Sequence, residues 1–231
     1  MPSSSSQTYP FVLVFDLDDT LYLERDFAFS GFAAVEAHLR LIHGDVIASG
    51  TCRTLFEQGV RGDIFDRALM RFGLPPGAVQ VAELIDIYRG HAPQIALCAD
   101  TERFLASNSS RRAIITDGPA AMQRAKIAAL GIAHLFQFVI PTGELPPGMG
   151  KPHPRAFKKV MAWSREPGSA HVYIADNPAK DFIAPRRLGW RTVQIDRVGR
   201  IHSPVPKAPE MAPEARISSL DELVAVLGDF D

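Results

Sequence analysis

The sequence is poor in several features that would each point to a particular chemistry. Its 231 residues hold two cysteines, Cys52 and Cys98. Two are too few for a disulfide framework, and neither lies in a CxxC or Cys–His spacing that would bind a soft metal. Two reduced thiols in a cytoplasmic protein is the reading that remains. Neither sign of charge dominates: 25 Lys and Arg stand against 26 Asp and Glu, for a net charge of −1. The basic residues are scattered, apart from short pairs such as Arg111-Arg112 and Arg186-Arg187, so the basic stripe of a nucleic-acid-binding face is missing. No apolar run is long enough to cross a bilayer, and residues 1–10 carry neither the basic region nor the apolar stretch of a secretory signal. A cytoplasmic protein without a nucleic-acid or membrane partner is expected. Lysine is absent from Leu23 to Pro93, although arginine is present there.

What is there is an ordinary globular composition, 46% hydrophobic and 22% charged. Residues 1–10 read as a flexible polar tail. Phe11-Val12-Leu13-Val14-Phe15 is a continuous apolar run, as suits a strand buried on both faces of a parallel sheet. Four later segments resemble it: Ala113–Thr116, Phe138–Ile140, Val172–Ala175 and Thr192–Ile195. Between them lie helical patterns at Ala120–Leu130, Pro154–Trp163 and Asp181–Leu188, the first and last closed by Gly131 and Gly189. Strands alternating with short helices predict an α/β fold, a three-layer Rossmann-like core around a parallel sheet.

Residues 23–93 break that rhythm. They contain no convincing strand but three apolar stripes at helical spacing: Phe29, Phe32, Val35, Leu39 and Ile42; Ile64, Phe65, Ala68, Leu69 and Phe72; and Val81, Leu84, Ile85 and Tyr88. They predict a small helical domain inserted after the first strand, with the core formed by 11–22 and 94–231. The stripes serve that domain's own core or a dimer equally well, so the oligomeric state is not legible. Val198–Pro213 is proline-rich and reads as an extended surface segment, and Ser219-Leu220-Asp221-Glu222 has capping-box form before a last helix.

The chemistry sits at strand ends. Phe15-Asp16-Leu17-Asp18-Asp19-Thr20 follows the first strand, where ligands bind in open α/β sheets. Alternation along the backbone turns Asp16 and Asp18 to the same side. Two carboxylates facing one cleft repel, and need a proton or a hard cation between them. Ile115-Thr116-Asp117-Gly118 ends a second strand with a hydroxyl and turn amides that suit phosphate oxygens. Gly150-Lys151-Pro152-His153-Pro154 sets a lysine before a helix, and Ala175-Asp176-Asn177-Pro178-Ala179-Lys180-Asp181 ends another strand in acids.

In that order, these four segments resemble the motifs of the haloacid dehalogenase superfamily, over about Phe11 to Ile195. The resemblance implies a core sheet of strand order 5-4-1-2-3 and a helical cap at 23–93. It further implies a magnesium-dependent phosphatase acting on a small phosphorylated metabolite. Asp16 is the implied nucleophile and Asp18 the general acid and base. Thr116 and amides near Asp117 hold the phosphoryl oxygens. Lys151 neutralises charge. Mg2+ lies on the Asp16 carboxylate, the Asp18 main-chain carbonyl and Asp176. Asp181 follows in the longer of the family's spacings and is left out of that set. Ala175 stands where a glycine often precedes the motif-four acid.

Within the family, dehalogenases lack an acid at the position of Asp18, and phosphonate cleavage uses a cap lysine that 23–93 does not hold. A phosphomutase or phosphotransferase would keep both acids and remains open. A catalytically idle phospho-ligand-binding protein should have lost Asp16, Asp18 or Lys151, and all three are present. Arg25, Arg53, Arg61 and His91 are the polar candidates for choosing the substrate.

Overall fold

A computed structural model describes residues 8–230, which form two compact units. One comprises 8–24 and 96–230; the other is Arg25–Ile95. Most of the predicted tail lies outside the described residues. Of the rest, the Thr8 hydroxyl meets Ser109 Oγ at 2.6 Å and the Tyr9 amide donates to Ser110 Oγ at 2.8 Å.

The larger unit is built on six strands: β1 (Val12–Phe15), β2 (Arg112–Thr116), β3 (Phe138–Pro141), β4 (His171–Ala175), β5 (Arg191–Ile195) and β6 (Ala215–Ile217). All pair in parallel, in the order β3-β2-β1-β4-β5-β6. This is the expected order of the first five strands with one more added beside β5. The strands read as apolar runs because both faces are covered. Val12 and Val14 of β1 pack with Ala156, Phe157 and Val160, and also with Phe182 and Trp190. Leu13 and Phe15 point the other way, as strand alternation requires, and the Phe15 ring meets Phe104 and Phe136 edge-on at 6.1 and 6.0 Å. Helices therefore lie on both faces, which makes three layers.

β1 is central, with Phe15 opposite Ile114 of β2 and Ile174 of β4. The Asp16 amide extends the ladder by donating to the Ile174 carbonyl at 2.9 Å. The carboxyl ends of three adjacent strands thus bring Asp16, Thr116 and Asp176 to one edge of the sheet.

The smaller unit is entirely helical: α1 (Glu24–His43, whose first residue belongs to the larger unit), α2 (Thr51–Glu57), α3 (Ile64–Arg71) and α4 (Val81–Gly90). Its core joins Phe32, Val35 and Leu39 of α1 to Leu55, Ala68, Phe72 and Leu84. The Phe32 ring lies 5.6 to 6.1 Å from Phe56, Phe65 and Tyr88. Ile42 was expected on this apolar face but is 60% exposed, because the helix has run past the core by then. The short α2 was not expected. Nor was α5 (Ala99–Ser107) of the larger unit, followed there by α6 (Ala120–Ala129), α7 (Arg155–Ser164), α8 (Ile183–Arg187) and α9 (Leu223–Gly228). At the start of the last helical stretch, Ser219 accepts from the Asp221 amide, and Glu222 Oε1 accepts from the Ser218 amide and hydroxyl. Among the described residues, no helix is long and apolar enough to cross a membrane.

Candidate active site

The loop after β1 is fixed by its own acids. Asp19 adopts φ 50°, a strained value for a residue with a side chain. It is held there by two bonds: its carboxylate accepts from the Glu24 amide at 2.8 Å and from the Ile201 amide at 2.7 Å. Asp19 thereby tethers the loop and caps α1, a role distinct from those of Asp16 and Asp18.

Asp16 is buried. Its Oδ1 takes the Leu17 amide at 2.8 Å, while Oδ2 lies 3.0 Å from Lys151 Nζ. The Lys151 ammonium is also buried, 2.7 Å from Asp181 Oδ1 and 3.0 Å from the Tyr173 hydroxyl. Burial alone would lower the lysine's pKa, but Asp16 and Asp181 raise it well above the usual value, so the cation persists. Burial pushes the Asp16 carboxyl up to about 6, against the pull of Lys151. Burial, with Asp181 and Asp16 nearby, pushes Asp176 up to about 9.

Asp16, Asp176 and Asp181 each bring a carboxylate oxygen to within 4.8 Å of the other two. Asp181 spends its oxygens on Lys151 and on the Asn177 amide, whereas Asp176 Oδ2 is buried with no hydrogen-bond partner. A hard divalent cation fits such an all-oxygen set, and its charge would remove the cost of burying three acids together.

Thr116 ends β2 with its hydroxyl oxygen buried and also unpartnered. The turn after it is tight. Gly118 has φ 132°, and a Cβ on Gly143 would come within 2.4 Å of the Gly118 carbonyl oxygen. The Asp117 side chain accepts from the Thr142 hydroxyl at 2.6 Å and from the Lys151 amide at 3.1 Å, and it lies 3.4 Å from Lys180 Nζ. It ties the second and third motifs together, which leaves only its main chain for an anion.

Asp18, expected beside Asp16, turns its carboxylate to a different set of partners. Oδ1 lies 2.7 Å from Lys126 Nζ and accepts the Tyr22 hydroxyl in a short bond; Oδ2 meets Gln123 Nε2 at 3.2 Å. Burial would raise this carboxyl, but Lys126, Tyr22 and Gln123 together hold it below the usual range. Glu24 stands near, its carboxyl pushed up to about 7 by burial and by Asp18.

Asp16, Asp18, Glu24, Gln123, Lys126 and Asp176 line a cleft of about 100 Å3, with Met122, Lys180 and His202 at its walls; His202 Nε2 is 3.6 Å from Glu24. Every lining residue belongs to the larger unit. The sequence reading missed Lys126, Gln123 and Tyr22, and it missed Tyr173 and Lys180. The one available signal was the i, i+3 spacing of Gln123 and Lys126 on a helix that starts right after Thr116-Asp117-Gly118.

A haloacid dehalogenase-like hydrolase family model matches residues 12–189. The chain belongs to that family. Among its relatives, the phosphoserine phosphatase of Thermus thermophilus is 34% identical over 71% of the chain; the matched region spans 63% of that relative's length. The glyceraldehyde 3-phosphate phosphatase of Methanopyrus kandleri is 27% identical over 94% of the chain and 97% of its own length. The solved 2-haloacid dehalogenase from Pseudomonas syringae pv. Tomato DC3000 shares the fold, with a TM-score of 0.63, 22% identity, and coverage of 96% of this chain and 99% of its own.

The four residues expected to choose the substrate are occupied within the helical unit. Arg53 pairs with Glu57 at 2.9 Å, and Arg61 donates to the Phe56 and Val60 carbonyls. His91 bonds Ser30 and the Tyr88 carbonyl, and Arg25 lies 3.9 Å from Asp26.

Proposed function

We propose that this hydrolase is a magnesium-dependent phosphatase that acts on a small phosphorylated metabolite through an aspartyl-phosphate on Asp16. One observation carries the reading: the buried Asp16 carboxylate lies 3.0 Å from a buried ammonium, beside an acid, Asp176, whose oxygen has no partner. A carboxylate beside a fixed cationic group suits attack on a phosphoryl centre, whose transition state spreads negative charge over its oxygens. The phosphatase relatives support the substrate class.

The roles proposed are these. Asp16 attacks phosphorus. Lys151 offsets the charge on Asp16 and on the transferring group, and the Thr116 hydroxyl donates to a phosphoryl oxygen, the partner it lacks within the protein. Asp18 protonates the leaving alcohol and afterwards takes a proton from the attacking water. Asp16, Asp176 and the Asp18 main-chain carbonyl would hold magnesium, which supplies positive charge against the phosphoryl oxygens. To the helical unit, inserted in the chain directly after the nucleophile's loop, we assign the choice of leaving group.

The test is phosphate release from an aryl phosphate with and without magnesium. Turnover is expected only with the metal, and Asp16→Asn is expected to lower it by about 10^4-fold or more, as loss of a nucleophile does. Metal-independent turnover, or turnover kept in Asp16→Asn, would contradict the reading.

A further inference from the structure

The partners of Asp18 are unequal. Oδ1 is held by two strong donors, the Lys126 ammonium at 2.7 Å and the Tyr22 hydroxyl, while Oδ2 has a single amide contact at 3.2 Å. That amide, Gln123 Nε2, is itself committed more closely to the Asp117 carbonyl, at 2.6 Å. Lys126 has a side chain 2% exposed and Tyr22 is fully buried, so neither donor is shared with bulk water. A lysine buried against a carboxylate is costly to desolvate. Its presence at this position calls for a role beyond stability, because an apolar pair would fill the same space at no such cost.

We infer that Lys126 is a positioning residue: with Tyr22 it anchors Asp18 Oδ1, so that Oδ2 alone faces the proton exchange with the leaving group. The inference rests on the phosphatase reading and adds a residue to it. As the bond from Asp16 to phosphorus forms and the bond from phosphorus to the leaving oxygen breaks, the electron pair stays on that oxygen, which takes from Oδ2 the proton that the monoanionic phosphate ester brought into the site. Asp18 is left as a carboxylate whose Oδ1 is already paired with Lys126. Gln123, bound to both the Asp117 carbonyl and Oδ2, keeps the acid in register with the phosphate-binding turn. General acids must be held within hydrogen-bond reach to be effective, and a carboxylate fixed at one oxygen meets that demand.

The test uses two substrates with magnesium: a simple alkyl phosphate, whose leaving group needs a proton, and 2,4-dinitrophenyl phosphate, whose leaving group does not. The quantity read is kcat/KM, which covers the steps up to formation of the phosphorylated enzyme. Lys126→Met is expected to lose about 100-fold on the alkyl phosphate, the lower end of what a positioned acid contributes, and far less on the dinitrophenyl ester. Asp18→Asn should show the same selectivity, and Lys126→Arg should restore much of the alkyl activity. Because the dinitrophenyl ester also reports the folded enzyme, a variant that misfolds loses both activities; Tyr22→Phe then carries the test, with a smaller loss of the same selectivity. Equal losses on the two esters in a folded variant, or no loss, would overturn the inference and leave the phosphatase reading in place. A wild-type protein inactive on the dinitrophenyl ester would overturn both.

Discussion

At the scale of single residues, two of the site's acids hold their protons more tightly than an ordinary carboxylate does. Asp176 is pushed up to about 9 and Asp16 to about 6, in each case chiefly by burial. A carboxyl whose pKa is raised on folding binds its proton more tightly in the folded state, so it costs stability as pH rises above the unfolded value. A cation on Asp176 must displace that proton, so its affinity should rise with pH until the group is ionised. Between about pH 7 and 9, the apparent dissociation constant for magnesium should fall by up to roughly tenfold per pH unit and level off above that range. Asp176→Asn should weaken binding and remove the slope. Calorimetry across that range checks this; a flat profile in the wild type would show that Asp176 is not the proton-releasing ligand. Asp181 shows the limit of motif spacing: its distance along the chain left it outside the ligand set, yet the turn at Asn177 returns it to Lys151.

At the scale of elements, one buried ion pair joins three parts of the larger unit. Asp100, in the first turn of α5, accepts two bonds from Arg197 Nη1 at 2.7 and 2.6 Å, and also takes the Leu220 amide at 2.6 Å. Arg197, just past β5, also donates to the Thr20 carbonyl at 2.7 Å, in the loop that carries Asp16 and Asp18. Arg197→Met would leave Asp100 charged, buried and short of its cation. It is expected to cost about 3–5 kcal/mol in urea unfolding, and Asp100→Asn added to it should return part of that. A loss below about 1 kcal/mol would mean that water replaces the arginine.

This pair was not legible in the sequence, since nothing links positions 100 and 197 until the sheet is assembled. The five long strands were legible because burial on both faces demands unbroken apolar runs. β6 was not: it has three residues, of which Ile217 alone is buried. α5 was hidden by its polar first turn, with Phe104 and Leu105 its only large apolar residues. The acids at strand ends could be found from their attachment to apolar strands. For Lys126 the one signal, its i, i+3 spacing from Gln123, is faint, because a lysine in an alanine-rich helix reads as solvent-facing, and only the packed fold shows that it is buried against Asp18.

At the scale of the whole molecule, the division of labour follows the two units. Every residue assigned a chemical step comes from 8–24 and 96–230, while Arg25–Ile95 has its own core and engages Arg53, Arg61 and His91 within it. The chemistry can thus be tested without knowing the natural substrate. The most direct measurement of the central claim is to trap the phosphorylated enzyme. The protein is mixed with magnesium and dinitrophenyl phosphate, quenched in acid, and reduced with borohydride, which converts an aspartyl-phosphate into homoserine. Peptide mass analysis should find homoserine at position 16, and none in a sample that received no phosphate ester. Turnover without a label at Asp16, or with the label on another residue, would contradict the account.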